Sequence, residues 1–191
     1  MEPVLIAAPA EKGYVSLSKA LTGFLGKLSC VWAPSGAQAR RCIAENDWGL
    51  VIASAPLPDE AGADLAQYAC AQTGAGVLLL VKEDIAETLP GAVADAGVLV
   101  LTKPLERTGF LGAARLALAT HHRIDALERE NRKLRTRLDD LRLISRAKCV
   151  LIECCGMTEP DAHAYIEQQA MQRRCTKRIV AEDIIHGGMP Q

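Results

Sequence analysis

Val77-Leu78-Leu79-Leu80-Val81 is a run of five consecutive apolar side chains. A strand with one wet face alternates apolar and polar residues at a period of two. A run without alternation belongs in a sheet covered on both faces, the usual setting of parallel strands. Comparable runs flank it: Val4–Ala8, Leu28–Ala33 and Leu50–Ser54 before, Val98–Leu101 after. Between them, apolar residues at helical spacing predict helices over Val15–Lys27, Gly36–Glu45, Ala61–Gln72 and Asp84–Asp95. The first half is therefore expected to be α/β, a flavodoxin-like, doubly wound, five-stranded parallel sheet built from right-handed crossovers.

Composition permits such a core, since 49% of the 191 residues are hydrophobic and 24% are charged. Lysine and arginine number 22 against 23 acidic residues, a net charge of −1, so no global basic excess marks a nucleic-acid or membrane partner. No apolar run approaches the roughly 18 to 20 residues that span a bilayer, and no signal-peptide pattern precedes Val4, so a cytoplasmic protein without membrane contact is expected. The seven cysteines make an odd number without any C-x-x-C, which suits a reducing compartment. Cys149, Cys154, Cys155 and His163 match no common zinc spacing, so neither metal nor cofactor is expected.

From about Arg107 the pattern changes. No glycine or proline occurs between Gly112 and Gly156, and a three-four spacing of apolar residues predicts one long helix. Ile124, Leu127, Asn131, Leu134, Leu138 and Leu141 occupy a and d positions of a coiled coil, the expected seam of a homodimer. Asn131 at an a position favours a parallel two-stranded register, and Glu130 at g faces Arg135 of a partner helix, whereas Arg137 and Arg142 repel in that geometry. After Ser145 three short helices are expected. The first stops at Gly156. Thr158 caps the second, with Pro160 in its first turn, Asp161 closing a capping box and the end near Arg174. Thr176 caps the third, which stops at Gly187-Gly188.

Ligands of a doubly wound sheet sit beyond the carboxyl ends of its strands. Here those ends carry Ala7, Ala8, Ser54, Val81 and Lys103. The order of elements, Leu57-Pro58 after the third run and Lys103-Pro104 after the fifth make residues 2 to 120 resemble a response-regulator receiver domain. The resemblance implies an acidic pair at Ala7 and Ala8, a phosphoacceptor aspartate at Ser54, a hydroxyl at Val81 and a lysine at Lys103. Only the lysine is present. Alanine offers no oxygen to a hard magnesium ion, and no histidine lies in residues 1–120 to activate Ser54, so a pseudo-receiver that is not phosphorylated is expected. Thr73-Gly74-Ala75-Gly76 precedes a strand and does not read as a phosphate loop.

Charge divides unevenly, with −3 over residues 1–120 and +2 over 121–191. Basic residues gather from Arg129 to Lys148 and again at Arg173, Arg174, Lys177 and Arg178, a pattern able to follow a phosphate backbone. The segments Arg146-Ala147-Lys148-Cys149-Val150-Leu151-Ile152, Gly156-Met157-Thr158-Glu159, Asp161-Ala162, Tyr165-Ile166-Glu167-Gln168-Gln169-Ala170-Met171 and Ala181-Glu182-Asp183-Ile184-Ile185 closely resemble the ANTAR domain over residues 140 to 186. Cys149 stands where glycine is usual and Ile152 where methionine is common. The resemblance implies a three-helix RNA-binding module of bacterial transcription antitermination regulators, one that holds paired hairpins of a nascent messenger leader and prevents a terminator from forming.

On this reading Arg146, Lys148, Arg173, Arg174, Lys177 and Arg178 contact phosphate, while Tyr165 and Gln169 face bases unless Tyr165 belongs to the core. The expected organisation is a pseudo-receiver over 1–120, a coiled-coil linker helix over 121–143 and an ANTAR domain over 144–191. The protein would be a non-enzymatic antitermination regulator whose input domain answers to a sensor protein. The alternative is a protein-interaction module of a two-component-like system, with the helical C-terminus bound to a protein partner.

Overall fold

The computed structural model describes residues 1–187 and divides into two compact units, Met1–Ala126 and the chain from Leu127 onward. In the first unit β1 (Glu2–Ala7), β2 (Leu28–Ala33), β3 (Leu50–Ser54), β4 (Gly76–Lys82) and β5 (Leu99–Lys103) form a parallel sheet in the order β2-β1-β3-β4-β5. Ile52 lies opposite both Ile6 and Leu78, which sets the three central strands in register.

Successive residues of the central strands enter opposite cores, and both cores are apolar. Leu5, Ala7, Val51, Ala53, Leu79 and Val81 pack with Ala39 and Ile43 of α2 (Gly36–Glu45) and Leu65, Ala66 and Ala69 of α3 (Ala63–Gln72). Val4, Ile6, Leu50, Ile52, Leu78 and Leu80 pack with Leu17 and Leu21 of α1 (Glu11–Leu25) and with Phe110, Leu111, Ala114 and Ala117 of α6 (Arg107–Cys155). This double coverage is the physical reason why Val77–Val81 shows no alternation.

Three sequence expectations need correction. The helix expected over Asp84–Asp95 is two short ones, α4 (Glu83–Ala86) and α5 (Gly91–Asp95), because Pro90 has no N–H to donate and disfavours helical backbone at Leu89. Helix α1 begins at Glu11, four residues before the expected Val15. The helix expected to begin after Ser145 is the last part of α6, which runs unbroken for 49 residues from Arg107 to Cys155. With no glycine or proline between Gly112 and Gly156, nothing in that stretch interrupts the hydrogen-bond ladder.

Helix α6 ends at Gly156, whose φ of +65° is the left-handed conformation glycine adopts without penalty, with its N–H donated to Ile152 O. Helix α7 (Glu159–Gln172) is capped by Thr158, whose Oγ1 accepts from Asp161 N at 3.4 Å. The expected capping box is altered: the Asp161 carboxylate accepts the Thr158 hydroxyl proton at 2.5 Å. Helix α8 (Lys177–Ile185) is capped by Thr176 through Ile179 N. Of the expected glycine stop, Gly187 has φ +99°, and Gly188 lies outside the described residues.

The second unit has its own core. Ala147 and Leu151 of α6, Ala162, Ile166 and Ala170 of α7, and Val180, Ala181 and Ile184 of α8 are all buried together. Alanines at 147, 162 and 181, each fully buried, let the three helices approach closely. The seam residues Leu127, Leu134, Leu138 and Leu141 belong to none of the buried cores and remain 50–64% exposed.

Candidate nucleic-acid interface

The carboxyl ends of β1, β3, β4 and β5 bring Ala7, Ala8, Ser54, Val81 and Lys103 to one edge of the sheet, as the sequence reading expected. Ala7, Ala8 and Val81 are buried, and Ser54 is half-buried. The backbone of Ala8 is fully used, its N–H by Ala33 O and its carbonyl by Trp32 Nε1 at 2.9 Å. Lys103 Nζ donates to Ala55 O at 2.5 Å, and burial, with the charge of Lys82 nearby, lowers its pKa. The carboxylates of the β3–α3 connection turn to α2. Asp59 accepts from Gly36 N and Ala37 N at 2.8 Å each, bonds that pull its pKa down. Glu60 pairs with Arg40 at 2.7 Å. Methyl groups of Ala7 and Ala8 thus stand at this strand end, with no carboxylate of Asp59 or Glu60 turned toward them.

In the second unit the periodicity of α7 sorts its side chains into three strips. Ala162, Ile166 and Ala170 are buried at the centre. Glu159, His163 and Glu167, four residues apart, lie on one flank, and Tyr165 and Gln169 on the other. Tyr165, Gln169, Arg173, Asp183 and His186 line an open groove of about 430 Å³ between α7 and α8. Tyr165 is half-buried and packs against the helical core, with the rest of the side chain lining the groove.

The basic candidates fall into two groups. Lys148 bonds Glu159 at 2.5 Å, Arg173 bonds Asp183 at 2.5 Å, Lys177 bonds Glu167, and Arg178 bonds Asp140 at 2.8 Å and Glu182 at 2.9 Å. These pairs shift the partners consistently: the hydrogen bonds from Lys148 and Lys177 hold Glu159 and Glu167 below the usual carboxylate range, and Asp183 and Asp140 push Arg173 and Arg178 up. Arg146 and Arg174 are exposed and make no ion pair among the described residues. Arg174 also has φ +50° in the turn between α7 and α8, uncommon for a residue with a side chain.

Sequence reasoning named the cations and missed the acids that hold them. Glu159 and Glu167 sit at four-residue spacing with His163 between, a detectable signal, but their partners on α6 and α8 are set by tertiary packing. Cys149, Cys154, Cys155 and His163 form no ligand cluster among the described residues.

Residues 132–185 match the model of the ANTAR domain family. The chain is 35% identical over 140 residues to the transcriptional regulatory protein PdtaR of Mycobacterium tuberculosis, covering 71% of this chain and 66% of that protein. Residues 132–185 are thus similar to the ANTAR domain, and the chain spans just under two thirds of the length of the PdtaR relative that it matches.

For its receiver-like unit, solved structures show the fold. A CheY-like response regulator receiver domain protein from Methanospirillum hungatei JF-1 superposes with a TM-score of 0.56 at 18% identity, over 64% of this chain and 98% of that one. A structure described as adenylate cyclase from Rhodopirellula baltica superposes with a TM-score of 0.62 at 18% identity, over 69% of this chain and 98% of that one. Two proteins this different on one architecture show that the receiver-like fold does not by itself state an activity. No helix among the described residues is long and apolar enough to cross a membrane.

Proposed function

We propose that this chain is a non-enzymatic, cytoplasmic transcription antiterminator that binds tandem hairpins in messenger leaders as a homodimer. The observation that carries this reading is the ANTAR match over residues 132–185, on helices whose surface holds Tyr165 and Gln169 in one groove and leaves Arg146 and Arg174 free of ion partners among the described residues. Arg146 and Arg174 make the first phosphate contacts. Lys148, Arg173, Lys177 and Arg178 contribute by exchanging a carboxylate for a phosphate, at the cost of the internal pair. Tyr165 and Gln169 read unstacked loop bases by stacking and edge hydrogen bonds.

Residues 1–120 act as a pseudo-receiver, residues 121–143 as a coiled-coil linker and residues 144–191 as the RNA-binding output. With alanine at 7 and 8 and serine at 54, signal enters by binding of a sensor protein and not by an aspartyl phosphate. Two ANTAR units in one dimer hold two loops at once, the first contact raising the effective concentration of the second.

Selection from a pool of RNAs carrying two hairpins with randomised loops tests this reading. The expected result is enrichment of a loop sequence present in both hairpins, bound with an affinity that falls steeply with salt. Recovery of no loop sequence above background, together with binding insensitive to salt, contradicts it and favours the protein-interaction reading of the same helices.

A further inference from the structure

The first unit holds a cluster that the regulatory reading does not use. Glu2 at the start of β1 meets His121 and His122 of α6, with Oε1 at 3.7 Å from His121 Nε2 and Oε2 at 3.9 Å from His122 Nε2. One ligand atom from each of the three lies within 4.8 Å of the others. His121 and Glu2 are half-buried, while His122 opens to solvent.

The surroundings fix what these atoms present. His121 Nδ1 lies 2.8 Å from Gly74 O, a carbonyl that only accepts, so this nitrogen carries a proton and Nε2 is the ring atom turned toward Glu2. A backbone carbonyl orienting one nitrogen so that the other coordinates is the arrangement found behind metal-bound histidines. Gly49 makes room for the carboxylate, since a Cβ there would lie 2.3 Å from Glu2 Oε1. The Glu2 backbone is held by its N–H to Lys27 O. Carboxylate and imidazoles stand 3.7–3.9 Å apart, wider than a hydrogen bond, and one ligand atom of each residue lies close enough to the others for a single ion to touch all three. A cation between them satisfies all three.

We propose that Glu2, His121 and His122 form a binding site for a borderline divalent metal ion, zinc first, with water completing the coordination. Two imidazole nitrogens and one carboxylate oxygen suit zinc, whereas magnesium and calcium take oxygen ligands. Zinc bonds of about 2.0–2.1 Å in a tetrahedron place ligand atoms about 3.4 Å apart, a closure of less than an ångström from the spacing of the two ion pairs. The ion ties the start of β1 to α6 two residues before Ile124, the first seam position. Sequence reading misses the site because its ligands are separated by more than half the chain, and adjacent histidines have no zinc spacing of their own.

The test is zinc titration by calorimetry of the tag-free full chain with Cys149, Cys154 and Cys155 replaced by serine to remove exposed thiols. The expected result is one zinc per chain, a thermal midpoint raised by several degrees, and no comparable effect of magnesium. Glu2→Gln, His122→Ala and Gly49→Ala should each weaken binding at least about tenfold, while His163→Ala leaves it unchanged. Circular dichroism without metal confirms that each variant is folded. Absence of stoichiometric zinc binding, or binding unaffected by Glu2→Gln and His122→Ala, overturns the proposal. So does a thermal midpoint that responds to pH but not to zinc, which leaves only a protonation-dependent ion pair.

Discussion

Arg173 and Arg174 are neighbours in opposite states. Arg173 Nη2 bonds Asp183 Oδ2 at 2.5 Å across the α7–α8 groove, while Arg174 stands exposed at φ +50° with no ion pair among the described residues. A side chain in the left-handed region costs roughly 1–2 kcal/mol relative to glycine. This strain and the cation reside in one residue, so one substitution separates stability from function. Arg174→Gly is expected to raise unfolding stability in urea by about 1 kcal/mol while lowering RNA affinity and reducing the salt slope by about one. A variant that loses stability, or keeps its full affinity, contradicts the assignment.

The acid limb of stability should depend on the carboxylates that hold Lys148 and Lys177. Glu159 and Glu167 have folded pKa values below their unfolded ones, so they stabilise the fold above the ordinary glutamate range near pH 4.3. That contribution is lost as pH falls through the depressed folded values. Glu159→Gln and Glu167→Gln should therefore flatten the decline in thermal midpoint below about pH 4.3, with the largest effect in the double variant. An unchanged acid limb shows that these bonds do not stabilise the unit in solution.

Packing of the second unit rests on a few fully buried side chains. Leu151 and Ile166 are 0% and 1% exposed at the junction of its three helices. Leu151→Ala should cost about 2–5 kcal/mol through the cavity it leaves, and Ala162→Leu about 1–3 kcal/mol through overpacking. Denaturant unfolding followed by far-ultraviolet circular dichroism measures both. Losses under half a kilocalorie would show that the core does not hold the helices.

How much was legible in sequence followed from the range of each determinant. The double-faced sheet was readable because Val77–Val81 and its sister runs carry the burial pattern within five residues. The caps at Thr158 and Thr176 are likewise local. The split at Pro90 was a local signal outweighed by the helical spacing on either side of it. The long helix was readable from the absence of glycine and proline, but its end was misplaced by starting a separate helix after Ser145, where no residue stops a helix. The pairing of Arg178 with Asp140 spans 38 residues, and such contacts depend on how helices pack, which spacing does not encode.

The alanines at the first strand end predict a chemical silence. Incubated with acetyl phosphate and magnesium, the full chain should gain no phosphoryl group by intact-mass measurement, with or without Ser54→Ala. A mass gain abolished by Ser54→Ala would instead make Ser54 an acceptor and require another account of the input unit.

The central claim is a two-handed grip on RNA, and the most direct measurement compares tandem- and single-hairpin binding for the wild-type chain and a seam variant. Leu134→Lys with Leu138→Lys places charges on two seam positions that are 50% and 54% exposed, leaving both unit cores untouched. With the hairpins recovered by selection, the wild type is expected to sediment as a dimer and bind tandem hairpins at least about a hundredfold more tightly than one. The variant should be monomeric and bind both equally. A wild-type chain with no tandem preference, or a monomeric variant that keeps the full preference, would contradict the account.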